Sequence, residues 1–302
     1  MRVLIPFDGS DSANAALDDL PRAGLPGEAE ALILVTHVWL ASSPTEFSRA
    51  VSWRRMLAAD GSSFTPALRE EEEGRALARE ARRRLRTLFP GWEVKAQAAA
   101  GTAAPELLRR AASWGADLVV IGSEGRSWPD RSFGVGHSAV IAAAPCTVRV
   151  ARPSAVARDG PVRLLVGADA PGEPGSPTRA VASRRWPAGS ECRVISPGLI
   201  QSGTVESLRE AGLRVSAVAP ARTGQLALAE EAERWGADCI FVAADGLWTG
   251  RAGALTGGLV AQLLASSPCS FEVSRATPRP PAADFMPGAR AAQSFTAAGA
   301  AG

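Results

Sequence analysis

Short runs of valine, isoleucine and leucine alternate along the chain with longer stretches in which apolar residues recur every three or four positions. The short runs are bounded by turn residues and predict buried strands, whereas the longer stretches predict amphipathic helices. Alternating strands and helices indicate right-handed βαβ crossovers and a parallel sheet covered by helices on both faces. The predicted strands are 2–7, 30–38, 92–98, 117–122 and 146–151, then 162–168, 191–196, 213–219, 238–243 and 269–274, with helices at 11–20, 66–88, 103–114 and 135–143 in the first series.

The two series of strands are an internal repeat. Trp-Gly-Ala-Asp precedes an apolar run at 114–117 and again at 235–238, an offset of 121 residues. The Pro-Cys pairs at 145–146 and 268–269 are offset by 123, and the segments 4–8 and 165–169 align at an offset of 161. A repeat of this kind predicts two related α/β domains, each with a five-stranded parallel sheet, which pack as an internal pseudo-dimer.

The repeat sets the expected domain organisation. The first domain is predicted at 1–152 and the second at 162–275, joined by a link at 153–161 that is rich in Pro, Gly and polar residues. The tail at 276–302 has no periodic pattern and is predicted to be disordered. Residues 39–64 form a long connection, for which a short packed helix is favoured over a lid or a partner surface.

Composition and charge narrow the function classes. The 302 residues include 33 basic and 31 acidic side chains, so the net charge of +2 gives no basic surface for a nucleic-acid partner. Lys95 is the one lysine, and the excess of arginine is interpreted as coding bias without mechanistic weight. Asp18 and Asp19 are expected on the exposed side of a helix, where they indicate no catalytic or metal site.

Neither a secretory leader nor an apolar stretch of about 20 residues is present, so a cytoplasmic protein without a membrane partner is expected. The cysteines lie in apolar contexts without C-x-x-C spacing and are predicted to be buried thiols. They are Cys146, Cys192, Cys239 and Cys269. His37 ends a buried strand and is predicted to be structural, and Trp114 and Trp235 to pack at helix ends.

Candidate ligand residues follow the strands, because open parallel sheets bind ligands beyond the carboxyl ends of their strands. Asp8-Gly9-Ser10 follows the first strand and His37-Val38 the second. Gly122-Ser123-Glu124-Gly125 follows the fourth strand and leads to Gly134-Val135-Gly136-His137. Glycines let the backbone approach a phosphate, and amides at the start of a helix point at negative charge.

These residues resemble the signature of the universal stress protein family: three spaced glycines after a strand, an aspartate ending the first strand, and a Pro-Cys pair before the last strand. Gly122, Gly125 and Gly134 match the glycines, Asp8 the aspartate and Pro145-Cys146 the pair. The resemblance covers about 1–151 and, more faintly, 162–275. It implies a flavodoxin-like or Rossmann-like fold, a stress-response role without catalysis, and an adenine nucleotide such as ATP, with Mg²⁺, in the first domain. The implied nucleotide-binding residues are Pro6, Asp8, Val38, Ile121, Gly122, Gly125, Gly134, Val135, Gly136 and His137.

The chain also departs from this family pattern. Eight residues instead of nine separate Gly125 from Gly134, and Val135 and His137 stand where hydroxyl residues are expected. The second domain is eroded further, with Ala243 in place of the first glycine and Gly258 in place of a hydroxyl, although Asp169 remains. The second copy is therefore predicted not to bind a nucleotide.

Three function classes stay open at this point: a nucleotide-binding stress protein, a nucleotide-independent module for an unidentified protein partner, and an adenylating or ATP-hydrolysing enzyme. The third rests on a loose likeness of residues 8–12 to a pyrophosphate loop, but Ser10 to Ser12 equally predict a helix N-cap. Residues 134–139 match a dinucleotide fingerprint, but they lie too late in the domain to be one. Association beyond the internal pseudo-dimer is also left open.

Overall fold

The computed structural model describes residues 1–37, 65–100, 103–123, 137–153, 160–168, 175–196, 198–219, 226–244 and 259–275. The predictions for the connection 39–64, for most of the link 153–161 and for the tail 276–302 lie outside these residues. Residues 1–153 are called the first half below, and residues 160–275 the second half. No helix within the described ranges is long and apolar enough to cross a membrane.

Ten strands and eight α-helices follow one another among the described residues, and they confirm the predicted alternation. The first half has β1 Arg2–Pro6, α1 Asp11–Asp19, β2 Glu30–His37, α2 Thr65–Leu88, β3 Glu93–Ala100, α3 Ala103–Trp114, β4 Leu118–Gly122, α4 His137–Ala143 and β5 Thr147–Ala151. The second half has β6 Arg163–Gly167, α5 Pro177–Ala182, β7 Glu191–Ile195, α6 Ser202–Glu210, β8 Arg214–Val218, α7 Leu226–Trp235, β9 Cys239–Ala243, α8 Leu259–Ser266 and β10 Ser270–Ser274.

The strands form one sheet in the order β3-β2-β1-β4-β5-β10-β9-β6-β7-β8. Within each half all strand pairs are parallel, and the two halves meet where β5 pairs with β10 in the antiparallel direction. The strand order of the second half repeats that of the first in reverse, as a two-fold relation requires. The fold is therefore α/β with the predicted pseudo-dimeric arrangement.

Alternation along each strand distributes the core over the two faces of the sheet. In β1, Val3 and Ile5 pack in the core beneath α1 and α2, whereas Leu4 joins the core on the opposite face. That opposite core is continuous across the junction of the halves, because Val148 of β5 and Phe271 of β10 both belong to it.

The repeated Trp-Gly-Ala-Asp segments make the same contacts in both halves. Asp117 accepts a hydrogen bond from the backbone N–H of Arg2 at 2.7 Å, and Nη1 of Arg2 donates to the carbonyl of Trp114 at 3.0 Å. The guanidinium also lies over the Trp114 ring, 6.0 Å from its centroid. In the second half the corresponding residues are Arg163, Trp235 and Asp238. The segment therefore joins the end of one helix to the first strand, in agreement with the predicted packing role of the tryptophans.

The other face of the junction carries buried charges. Arg149 of β5 lies opposite Glu272 of β10 in the strand register, and their side chains are 1% and 0% exposed. Nε of Arg149 donates to Asp19 at 2.5 Å, and Nη1 of Arg184 donates to Glu272 at 2.9 Å. Burial lowers the pKa of Arg149, but Asp19, Cys239 and Glu272 outweigh it and hold that pKa well above its ordinary value.

The expectation that Asp19 is exposed is wrong. Asp19 is not on an exposed surface, because its side chain is 12% exposed and Ser270 of β10 donates to it at 2.8 Å. The neighbouring Asp18 is 61% exposed, as expected. Arg149 is among the largest fully buried side chains and joins the two halves.

Candidate functional site

A cleft opens at the carboxyl ends of β1 and β4, where the strand order of the first half reverses direction. The empty space between its walls is about 560 Å³ when the mouth open to solvent is counted. Crevices at such switch points are the common ligand sites of open α/β sheets. The walls are Pro6, Phe7 and Asp8 after β1, Ser10, Ser12 and Ala13 of α1, Ala103, Ala104 and Leu107 of α3, Ile121 and Gly122 of β4, and His137 and Val140 of α4.

The loop between β1 and α1 holds the Asp8 carboxylate at the cleft. Ser10 is the N-cap of α1, and its hydroxyl accepts a hydrogen bond from the backbone N–H of Ala13 at 3.2 Å. The same hydroxyl donates to Oδ1 of Asp8 at 2.6 Å, and the backbone N–H of Ser10 donates to that oxygen at 3.0 Å. Within the described chain no donor contacts Oδ2, so this oxygen is available to a ligand. The predicted N-cap role of this segment is confirmed.

Gly122 permits α1 to pack against the end of β4. A Cβ atom at this position would lie 1.9 Å from the carbonyl oxygen of Ser12 and 2.4 Å from its carbonyl carbon. These are backbone atoms of a helix, so no side-chain rotation would relieve the overlap. Ala243 occupies the equivalent position at the end of β9, so the second half carries a Cβ atom where the first half has this close approach. The glycine therefore shapes the cleft of the first half.

His137 begins α4 and lines the same cleft as Asp8. Its imidazole hydrogen bonds with the backbone of Gly122, and burial lowers its pKa despite that bond. The side chain is consequently biased toward the neutral form, with one ring nitrogen committed to the end of β4. Asp8 is the charged residue among the described walls of the cleft. The cleft thus contains a carboxylate and an imidazole biased toward its neutral form among largely apolar walls.

The structure brings together half of the residues that the sequence implies. Pro6, Asp8, Ile121, Gly122 and His137 all line the cleft. The other implied residues lie outside the described residues and stay predictions: Val38, Gly125, Gly134, Val135 and Gly136.

Sequence reasoning missed the apolar wall of the cleft. Ala103, Ala104 and Leu107 come from the first turns of α3, and Phe7 from the end of β1. The sequence did contain a signal for this wall, because α3 follows β3 and therefore begins at the same edge of the sheet as the cleft. Its small, apolar first turn indicates a surface that accepts a flat apolar group.

Other reactive groups lie away from the cleft. The cysteines are unbridged, and Cys146, Cys192 and Cys239 are buried, as predicted, while Cys269 is half-buried. Burial raises the pKa of Cys146, Cys192 and Cys269 to about 12 each. In the part of the chain that is described, no group of three or more His, Cys, Asp or Glu side chains is placed to hold a metal ion.

Comparisons with known proteins agree with this architecture. The sequence model of the universal stress protein family matches residues 1–152. A universal stress protein from Archaeoglobus fulgidus is similar in structure, with a TM-score of 0.62 and 16% identity over 91% of this chain and 96% of that one. No curated protein sequence matches the chain significantly.

Two further solved structures each align with about half of this chain. One is a universal stress protein in complex with cAMP, with 20% identity and a TM-score of 0.36 over 51% of this chain and 98% of that one. The other is a universal stress protein family protein from Arabidopsis thaliana with AMP bound, with 16% identity and a TM-score of 0.34 over 51% and 93%. The match of the family model to half of the chain shows that this protein belongs to the universal stress protein family.

Proposed function

We propose that the first half binds an adenine nucleotide in the cleft between β1 and β4, and that the protein serves a stress response by binding and not by catalysis. The observation that carries this proposal is the cleft itself, in which Asp8 and Gly122 meet at the switch point of a universal stress protein fold. The second half is assigned a supporting role, since Ala243 replaces the glycine that shapes the cleft.

The two kinds of wall suit the parts of a nucleoside. Ala103, Ala104, Leu107 and Ile121 form an apolar surface against which a purine base would lose contact with water. The free Oδ2 of Asp8 is an acceptor for a ribose hydroxyl or an exocyclic amino group. Apolar walls with a small number of placed polar groups are the usual composition of such sites.

Charge indicates where the phosphate of the nucleotide would lie. Asp8 places a carboxylate before the start of α1, and this charge would repel an anion. His137, which lines the same cleft, carries no negative charge and can take up a proton beside a phosphate. The nucleoside is therefore assigned to the Asp8 side and the phosphate to the His137 side. Mg²⁺ would accompany a polyphosphate on that same side.

A binding role without catalysis is supported by how the polar groups of the cleft are used. The Ser10 hydroxyl donates to Asp8 and accepts from Ala13, so it is engaged as a helix cap. His137 is engaged with the backbone of Gly122. Ser10 and His137 do not form a pair of nucleophile and base with each other, which disfavours covalent catalysis by these two side chains.

Isothermal titration calorimetry tests the proposal with AMP, cAMP and ATP as ligands, each with and without Mg²⁺. Asp8→Ala should weaken the affinity for AMP at least about tenfold, the loss expected for a hydrogen bond to a charged acceptor of about 1.5 to 3 kcal/mol. Asp11→Ala is the matched control, because Asp11 lies one turn away outside the cleft walls. Its affinity should remain within about threefold of the parent value.

Two results would contradict the proposal. One is the absence of heat and of thermal stabilisation at millimolar concentrations of all three nucleotides, which would favour the nucleotide-independent interaction function. The other is equal weakening by Asp8→Ala and Asp11→Ala, which would place the nucleotide elsewhere. Turnover of ATP by the parent protein that Asp8→Ala abolishes would refute the non-catalytic assignment alone.

A further inference from the structure

The contacts between the halves fall into two groups, and the first group obeys the two-fold relation. The backbone N–H of Arg152 donates to the Ser270 hydroxyl at 3.0 Å, and that of Arg275 donates to the Thr147 hydroxyl at 3.2 Å. Nη2 of each arginine also reaches backbone carbonyls in the last turns of α8 and α4 respectively. Because each contact occurs once in each direction, these contacts would form equally well between two identical halves.

The second group breaks the two-fold relation. Arg149 and Glu272 occupy equivalent positions of the repeat, 123 residues apart, yet they carry opposite charges. They lie directly opposite one another in the β5–β10 register, and Nη1 of Arg149 lies 3.4 Å from Oε2 of Glu272. Two first halves paired through β5 would instead bury one Arg149 opposite the other. Like charges at opposed positions of an antiparallel pair are destabilising.

The side-chain packing next to this ion pair also breaks the two-fold relation. The indole ring of Trp186 lies against Gly24, where a Cβ atom would come within 2.8 Å of the ring. Beside it, Nη1 of Arg184 donates to the carbonyl of Ala23 at 3.0 Å. At the repeat offset of 161 residues, Leu25 corresponds to Trp186 and Ala23 to Arg184. The first half thus supplies the hollow and the acceptor, and the second half supplies the large ring and the cation.

We propose that β5, the end of α1 and the turn at residues 23–24 form a heterospecific docking surface, whose partner is a half that presents a buried carboxylate opposite Arg149 and an aromatic ring opposite Gly24. The second half of this chain has that chemistry, and another first half does not. It follows that two copies of the chain can associate through this surface only by exchanging halves. Each β5 would then still pair with a β10.

The selectivity of this surface for the unlike half is limited, because each half supplies a counter-ion for its own buried charge. Asp19 accompanies Arg149 within the first half, and Arg184 accompanies Glu272 within the second. A pair of first halves would therefore be neutral overall, and its disadvantage comes from the opposed guanidinium groups and from the empty place over Gly24. We expect a preference of at least about tenfold for the unlike pair.

The test uses the full chain with a protease site placed within residues 154–159, cut after folding. Two preparations are made that carry different affinity tags on the first half, and also different tags on the second half. They are mixed, unfolded in urea and refolded together. The first half of one preparation is then captured through its tag. The captured material should contain second halves from both preparations, which shows that exchange took place. It should contain at least tenfold less of the first half from the other preparation.

Recovery of the other first half in amounts comparable with the second halves would overturn the proposal, and so would failure of the halves to reassociate. Arg149→Gln in both preparations should raise the recovery of like pairs, because it removes the opposed positive charges. The paired change Glu106→Gln and Arg109→Gln is the control, since it removes an ion pair from α3 far from the junction and should leave the ratio unchanged. The ratio of like to unlike pairs measured with the unsubstituted protein decides the proposal even if a variant does not fold.

Discussion

The close approach of α1 to β4 makes Gly122→Ala the substitution whose effect the structure specifies most sharply. The new Cβ atom would lie 1.9 Å from the carbonyl oxygen of Ser12, whereas ordinary contacts between such atoms begin above 3 Å. The backbone of β4 or of α1 must therefore move by more than about 1 Å, which is the kind of overpacking that costs roughly 1 to 3 kcal/mol. The same movement would displace Asp8, which α1 holds through its Ser10 cap.

The measurement is urea unfolding followed by circular dichroism, together with the affinity for AMP. Gly122→Ala should lower the free energy of unfolding by about 1 to 3 kcal/mol and weaken AMP binding. Gly203→Ala is the matched control, because a Cβ there meets nothing within 4 Å and the residue is helical. Gly203→Ala should leave the free energy of unfolding unchanged or raise it by up to about 1 kcal/mol. A Gly122→Ala protein as stable as Gly203→Ala, with parent affinity, would refute the packing argument.

Three further predictions concern buried polar groups. Glu272→Gln should destabilise the protein by about 3 to 5 kcal/mol in urea unfolding, because it leaves the buried Arg184 without its counter-ion, while Arg149 keeps Asp19. Glu80→Gln, in an exposed pair with Arg83, should leave the stability nearly unchanged, and equal losses for the two variants would contradict this prediction. Since burial lowers the pKa of His137 from 6.5, the unfolded chain binds that proton more readily, and stability should fall as the pH drops from about 6.5 through the folded pKa. His137→Gln should flatten this part of the profile, and an unchanged profile would count against it. Cys146, with a pKa raised to about 12 by burial, should react with iodoacetamide at pH 8 only after unfolding, as mass spectrometry would show.

The parts of the fold that depend on local patterns could be predicted from the sequence. Apolar runs and turn residues located the ten strands to within one or two residues, because strands buried on both faces of a parallel sheet read as short continuous apolar runs. The repeat offsets predicted the two-fold arrangement, and the Trp-Gly-Ala-Asp segments kept their contacts in both halves. Asp8 and Gly122 could be placed at one cleft because each directly follows a strand.

The charged junction could not be predicted in the same way, because it depends on pairing between strands 123 residues apart. Treating arginine as coding bias concealed it further, although a signal was present. Arg149 and Glu272 each interrupt an otherwise apolar strand at equivalent places, and a charge inside a buried strand needs a partner. Asp19 was misplaced for a related reason, since the end of its helix lies against Arg149 of β5 and Ser270 of β10.

The central claim is that this chain has a nucleotide site in its first half and none in its second. The most direct test is the stoichiometry of AMP or ATP binding to the full chain by calorimetry, with the protein first freed of any nucleotide by unfolding and refolding. The account predicts one nucleotide per chain, lost on Asp8→Ala. No binding, or two equivalent sites per chain, would contradict it.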